Sequence, residues 1–92
     1  MSVERKTCTI VNKRGLHARA SAKFVGAVSV LPDGVRVKVA KDGNEAAGGS
    51  ILGLMMLGAA KGDTVELIVE GDNAPVVLAD LAAMVEDGFG EE

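Results

Sequence analysis

Aromatic residues are almost absent, with no tryptophan, no tyrosine and two phenylalanines. Proteins that hold single strands stack bases on aromatic rings, and a net charge of −3 has the wrong sign for a phosphate backbone. Nucleic acid is therefore not the expected partner. The single cysteine, Cys8, has nothing to pair with, so the fold carries no internal disulfide, as suits a reducing compartment. Long apolar runs are missing too. The longest uncharged stretch, Ala46 to Ala60, is short and broken by glycines, so no membrane insertion is expected. Met1 to Lys6 carries charge and leads into no apolar run, which argues against a signal peptide. The expected location is the cytoplasm.

What is present is aliphatic. Hydrophobic residues make up 48% of 92 positions, enough for one domain over 1–92 with a core of Val, Leu, Ile, Ala and Met. Such a chain has a radius of gyration of about 12 Å. With no second domain to enclose a substrate, it is better suited to presenting a site on its surface. Charge is unevenly spread. Arg5, Lys6, Lys13, Arg14, Arg19 and Lys23 fall between Arg5 and Pro32 with no carboxylate among them. From Gly62 onward there are acids and no Lys or Arg. A basic face toward an acidic partner or an anion follows.

Periodicity places the elements. Lys6–Val11 alternates, with Cys8 and Ile10 on one side, and reads as a strand. Ala20, Phe24, Ala27 and Val28 recur at helical spacing over Ala18–Val28. Val35–Ala40 alternates again, and Asp42-Gly43 predicts a tight hairpin into Asn44–Ala47. Ile51–Leu57 reads as a short helix with Ser50 at its N-cap, and Thr64–Glu70 as a fourth strand. A last helix carries Pro75 in its first turn, is capped by Asn73 or Asp72, and ends at Gly88. Its buried stripe is Val77 or Leu78, Leu81, Met84 and Val85. The order βαββαβα favours an α+β fold in which one mainly antiparallel sheet carries its helices on one face.

His17 is the only histidine. A lone histidine at a helix start has a plain reading as a surface residue or cap. Three features favour chemistry instead. The helix N-terminus offers unpaired N–H groups and a positive dipole end to an anion. That end, with Arg14 and Arg19, disfavours imidazolium, leaving a neutral ring able to act as a nucleophile. Arg19 adds a planar cation suited to phosphate oxygens. This is what a histidine needs to accept a phosphoryl group. The chain has no phosphate-binding loop ending in Gly-Lys-Ser/Thr and no aspartate pair for magnesium, so no cofactor and no metal is expected. Such a histidine is a carrier served by other proteins.

Gly15-Leu16-His17-Ala18-Arg19-Ala20 resembles the active-site motif of the histidine-containing phosphocarrier (HPr) family of the bacterial phosphoenolpyruvate-dependent phosphotransferase system. Gly49-Ser50-Ile51-Leu52-Gly53-Leu54-Met55-Met56-Leu57 resembles that family's second signature, around a regulatory serine. The resemblance spans nearly the whole chain and leans toward proteobacterial branches, some with nitrogen or regulatory roles. It implies an open-faced β-sandwich, a four-stranded antiparallel sheet covered on one face by three helices. It implies a phosphoryl group taken onto Nδ1 of His17 from Enzyme I and passed to a histidine of Enzyme IIA domains, in sugar transport or regulation. It assigns phosphate binding to Ala18 and Arg19. The carrier would be a stoichiometric monomer, not an enzyme with its own turnover. Two positions depart from the family pattern, Ala20 where proline is common and Gly49 where lysine is often found. Alanine is also at home in a first helical turn.

Ser50 reads from its position as an N-cap hydroxyl worth about 1 kcal/mol. The resemblance adds phosphorylation by an HPr kinase/phosphorylase, whose anion beside a docking face would repel an acidic Enzyme I and slow loading of His17. A seven-residue helix cannot bury all of Ile51, Leu52, Met55 and Met56, and Ile51, Leu52 and Met55 are expected to stay exposed as an apolar docking patch. Ala20, Lys23 and Phe24 of the first helix complete the expected docking set. Two other readings stay open: a regulatory or ligand-binding domain of the same fold with an incidental histidine, and an interaction module using the Ile51–Leu57 patch without phosphorylation.

Overall fold

Val65, Leu67 and Val69 are almost fully withdrawn from water, and the strand that carries them, β4 (Thr64–Glu70), lies inside the sheet. The computed structural model describes residues 3–91; Met1, Ser2 and Glu92 of the expected 1–92 domain lie outside the described residues. The elements follow as β1 (Val3–Thr9), α1 (Ala18–Ser29), β2 (Arg36–Lys41), β3 (Asn44–Ala47), α2 (Ile51–Met56), β4 and α3 (Ala74–Glu86), with a closing 3-10 turn at Gly88–Gly90. The sheet order is β1-β4-β2-β3 and every neighbouring pair is antiparallel. The radius of gyration is 11.8 Å.

Strand alternation decides which face is covered. Cys8, Val37, Val39, Ala46, Val65, Leu67 and Val69 join one core with Phe24, Leu54, Leu81 and Val85 from the helices. Arg5, Thr7, Arg36, Lys38, Glu45 and Glu66 occupy the other face, which stays open to water. Ile68 is buried there outside the core, opposite Arg5 on one side and Lys38 on the other. Long basic stems of this kind cover an apolar residue while their charges stay wet. The expected open-faced sandwich is the observed one.

Several boundaries differ from expectation, β2 by a single residue at each end and β1 at both ends, closing at Thr9 and not Val11. β1 begins at Val3 and not at Lys6, because Val3, Glu4 and Arg5 pair with Glu70, Val69 and Ile68 of a strand far along the chain. α2 ends at Met56, with Leu57 as its C-cap. Neither Asn73 nor Asp72 caps α3 through a side chain. Asn73 occupies the cap position in the left-handed region at φ 58° with no side-chain bond, and Pro75 fills the first turn where no N–H is missed. Within α3, Val77, Leu78, Leu81 and Val85 are buried as expected, whereas Met84 is only half-buried. The hairpin behaves as predicted, with Asp42 at φ 52° and Gly43 at φ 84°.

Gly15 sets the approach to α1. It sits at φ +61°, and a Cβ there would lie 2.1 Å from the Ala59 carbonyl oxygen. That same oxygen accepts the Leu16 amide at 3.0 Å, stitching the loop before α1 to the loop after α2. Gly15→Ala is therefore expected to destabilise the protein by roughly 1–3 kcal/mol. Denaturant unfolding should show a lower midpoint with an unchanged slope, and a wild-type midpoint would contradict this account of the loop.

Candidate functional site

His17 stands at the N-cap of α1 with extended backbone at φ −73° and ψ −179°. Its carbonyl accepts the Ser21 amide at 2.9 Å, the first bond of the helix, and the buried Ser21 hydroxyl donates back to the Leu16 carbonyl at 3.2 Å. These contacts fix the ring at the end of the helix, where the first amides have no helical partner. Nδ1 accepts from the Arg19 amide at 3.2 Å. An accepting Nδ1 carries its lone pair, so the ring proton is assigned to Nε2.

Nε2–H points to the Oε2 atom of Glu91 at 2.6 Å, 74 residues away along the chain. Both side chains are largely shielded, at 17% and 16% exposure. The other carboxylate oxygen, Oε1, accepts from the Asn12 amide at 3.0 Å, and the same Asn12 Nδ2 donates to the Gly15 carbonyl at 2.8 Å. Asn12 is buried and its own Oδ1 finds no partner. Turning the amide over would set Oδ1 against two acceptors, so its orientation is determined by Gly15 and Glu91. Burial pushes the Glu91 carboxyl up. The hydrogen bonds from Asn12 and His17 and the charges of His17 and Lys23 outweigh it and hold the group below the usual carboxylate range.

Glu91 reaches this place because the chain folds back after α3. Gly88, Phe89 and Gly90 all have positive φ, at 66°, 59° and 73°. Phe89 buries its ring in the core, and its carbonyl accepts Lys23 Nζ at 2.7 Å. A strained, non-glycine left-handed residue is tolerated where packing holds it, and here the buried ring does so.

Around the ring, Lys13, Arg14, His17, Arg19, Lys23, Gly90 and Glu91 line a groove of about 440 Å³. The basic face expected from the sequence is thus real in four of its six members. Arg5 instead pairs with Glu66 on the open sheet face at 3.0 Å, and Lys6 with Glu86 at 3.7 Å. A second cavity of similar size, between the end of α1 and the β2–β3 edge, is lined by Val28, Val37 and Ala46 together with Arg36, Lys38 and Glu45, and contains no histidine. Among the described residues there is no cluster of His, Cys, Asp and Glu placed for a metal ion. Among the described residues no helix is long and apolar enough to cross a membrane.

The expected site residues divide. His17, Ala18 and Arg19 come together at the start of α1, the latter two exposed. Ser50 caps α2 as expected, its Oγ accepting the Gly53 amide at 2.9 Å. Ile51, Leu52 and Met55 are exposed at 41%, 67% and 40%, and Met56, not among the expected contacts, is more exposed still at 77%. α2 packs against α1, which places this patch beside the His17 helix. Two docking residues are corrected. Ala20 and Phe24 are buried, at 0% and 1%, because they form the stripe by which α1 packs into the core. Lys23 reaches the surface, but its ammonium is engaged by Phe89. Asn12 and Glu91 were absent from the expected site. Asn12 lies in a stretch legible only as a turn, and nothing local to Glu91 signals its contact with His17.

At low pH the Glu91 contact should fail in a defined window. Its carboxyl lies below the unfolded value of about 4.3, so the stabilisation it provides is complete above that value and is lost as pH falls through the lower folded value. An NMR titration is expected to place the Glu91 midpoint below about 4.3, with the His17 ring resonances moving together with it. A midpoint at or above the unfolded value would refute the contact.

A family model described as PTS HPr component phosphorylation site matches residues 4–87. The chain is 40% identical over 87 residues to the phosphocarrier protein HPr of Neisseria meningitidis serogroup A, covering 95% of this chain and 96% of that one. It is 33% identical over 91 residues to the phosphocarrier protein NPr of Shewanella violacea, covering 99% and 98%. Among solved structures, an HPr from Thermoanaerobacter tengcongensis superposes with a TM-score of 0.88 at 38% identity, covering 97% of this chain and 98% of that one.

Proposed function

The chain belongs to the HPr family of the phosphotransferase system, whose members are phosphocarriers and not catalytic enzymes, and on that premise we propose that His17 is the residue that carries the phosphoryl group. The observation that supports this most directly is the ring's hydrogen bonding. Nε2 is engaged by Glu91, and the Nδ1 lone pair points at the start of α1, held there only by the Arg19 amide at 3.2 Å. Phosphorylated Enzyme I is the donor and histidines of Enzyme IIA domains are the acceptors. One domain over 1–92, acting as a cytoplasmic monomer, serves both.

Transfer is mostly positioning and charge stabilisation. As phosphorus approaches Nδ1, the Arg19 amide gives up a hydrogen bond of 3.2 Å and turns to a phosphate oxygen. A neutral bond is thereby exchanged for a charge-assisted one, roughly twice as strong. The Ala18 amide and the Arg19 guanidinium serve the remaining oxygens, and Lys13 and Arg14 raise the local positive potential. Partners dock on Ile51, Leu52, Met55 and Met56, an apolar patch exposed beside a basic groove. Ser50 lies at the edge of that patch, and its phosphorylation by an HPr kinase/phosphorylase would add about −1.5 to −2 charges there. The α2 patch favours a second reading, an interaction module that works without phosphate.

Incubation with phosphoenolpyruvate and Enzyme I separates the two readings. About one acid-labile, base-stable phosphate per chain is expected on the wild type, by the single-nucleophile logic of covalent carriers. None is expected on His17→Ala, and slower labelling on Arg19→Ala with the fold intact. Wild-type protein that stays unlabelled would refute the carrier reading. In the same assay Ser50→Asp should load more slowly than wild type, and equal rates would remove Ser50 from the regulatory role.

A further inference from the structure

We propose that Glu91, held by Asn12, is a positioning residue for phosphoryl transfer, keeping the proton on Nε2 of His17 through both loading and unloading. This inference rests on His17 being the phosphoryl carrier and goes beyond it.

The arrangement is directional. One carboxylate oxygen takes Nε2–H at 2.6 Å, and the other is occupied by Asn12 at 3.0 Å, so Glu91 approaches the ring in a fixed orientation. The buried Asn12 leaves its own Oδ1 unpaired while satisfying Gly15 and Glu91. The strap that carries Glu91 is fastened independently, by the Lys23 bond to the Phe89 carbonyl at 2.7 Å and by the buried Phe89 ring.

The chemistry follows from electron counting. On loading, the Nδ1 lone pair forms a bond to phosphorus as the bond from phosphorus to the donor protein's phosphorylated side chain breaks, and the donor retains that electron pair. The ring becomes cationic, and the proton stays on Nε2. On unloading, the acceptor's nucleophile bonds to phosphorus and the N–P electron pair returns to Nδ1, which restores a neutral ring. No proton need move to or from the carrier in either direction, provided that Nε2 stays protonated. A carboxylate against Nε2–H favours that state and lies on the far side of the ring from the incoming phosphate. Without it, the loaded ring would hold the Nε2 proton less firmly, and a neutral phosphoimidazole is a poorer leaving group. The charged groups facing Glu91 are His17 and Lys23, and Lys13, Arg14 and Arg19 line the same groove.

The test compares full-length wild type, Glu91→Gln and Glu91→Leu, with Glu66→Gln on the open sheet face as a control. Nitrogen-15 NMR of the ring should show a slowly exchanging Nε2 proton in wild type and in the control, and its loss by exchange in Glu91→Leu. After loading from phosphoenolpyruvate and Enzyme I, transfer of phosphate at pH 8 is expected to be about tenfold slower from Glu91→Gln and Glu91→Leu, the effect of a one-unit change in proton affinity. At pH 5, where protons are a thousandfold more abundant, the rates should converge, which a merely structural role would not produce. Equal rates at pH 8 for wild type and both Glu91 variants would overturn the proposal alone. Absence of phosphate from wild-type His17 would overturn both the proposal and the carrier reading beneath it.

Discussion

The structure depends at its functional end on one imidazole ring held from both sides. The Arg19 amide meets Nδ1 and the Glu91 carboxylate meets Nε2, so the ring's tautomer and direction are decided by groups from opposite ends of the chain. Neither contact would suffice alone. The helix end supplies amides and a positive potential but leaves the ring free to turn, while the carboxylate fixes the ring's far edge. Removing either would leave a histidine near a helix, which many proteins possess without phosphoryl chemistry.

The rest of the fold serves that placement. The antiparallel sheet carries the core, and α1 packs into it through Ala20, Ser21 and Phe24, which orients the N-terminus of the helix outward. Gly15 lets the preceding loop close against Ala59, so the loop ahead of His17 and the end of α2 are coupled through a single carbonyl. The return of the chain after α3 brings Phe89 into the core and Glu91 to the ring. The same turn places Lys23, a residue that looks like a free surface cation, in a bond that anchors the strap. Charge is segregated accordingly, with a groove of four cations whose carboxylate is already engaged.

Much of this was legible in the residues themselves. Strict alternation in Val35–Ala40 and Thr64–Glu70, the Asp42-Gly43 turn and the Ser50 cap are local signals, and each appears where local chemistry puts it. His17 and Arg19 stand out because a helix start has its own electrostatics. Docking residues were harder. Phe24 and Met55 are equally apolar on paper, yet one fills the core and the other faces water, since α2 turns Leu54 and not Met55 toward the core. The start of β1 was missed because Glu4 and Arg5 look like a polar terminus until β4 pairs with them.

By itself the sequence determined the element order, the fold class and the aliphatic core, and it singled out His17 as the candidate nucleophile, because these rest on periodicity, turn chemistry and helix-end potential over a few residues. Only the tertiary structure decided the partner of His17 Nε2, the burial of Ala20 and Phe24 and the exposure of the α2 patch. Glu91 and His17 are 74 residues apart, and no local pattern encodes a contact that exists only after α3 has packed and the chain has turned back through Gly88–Gly90. Long-range juxtaposition is a property of the packed whole, and at this site it supplies the second hydrogen bond, which assigns the ring proton of a lone histidine to Nε2.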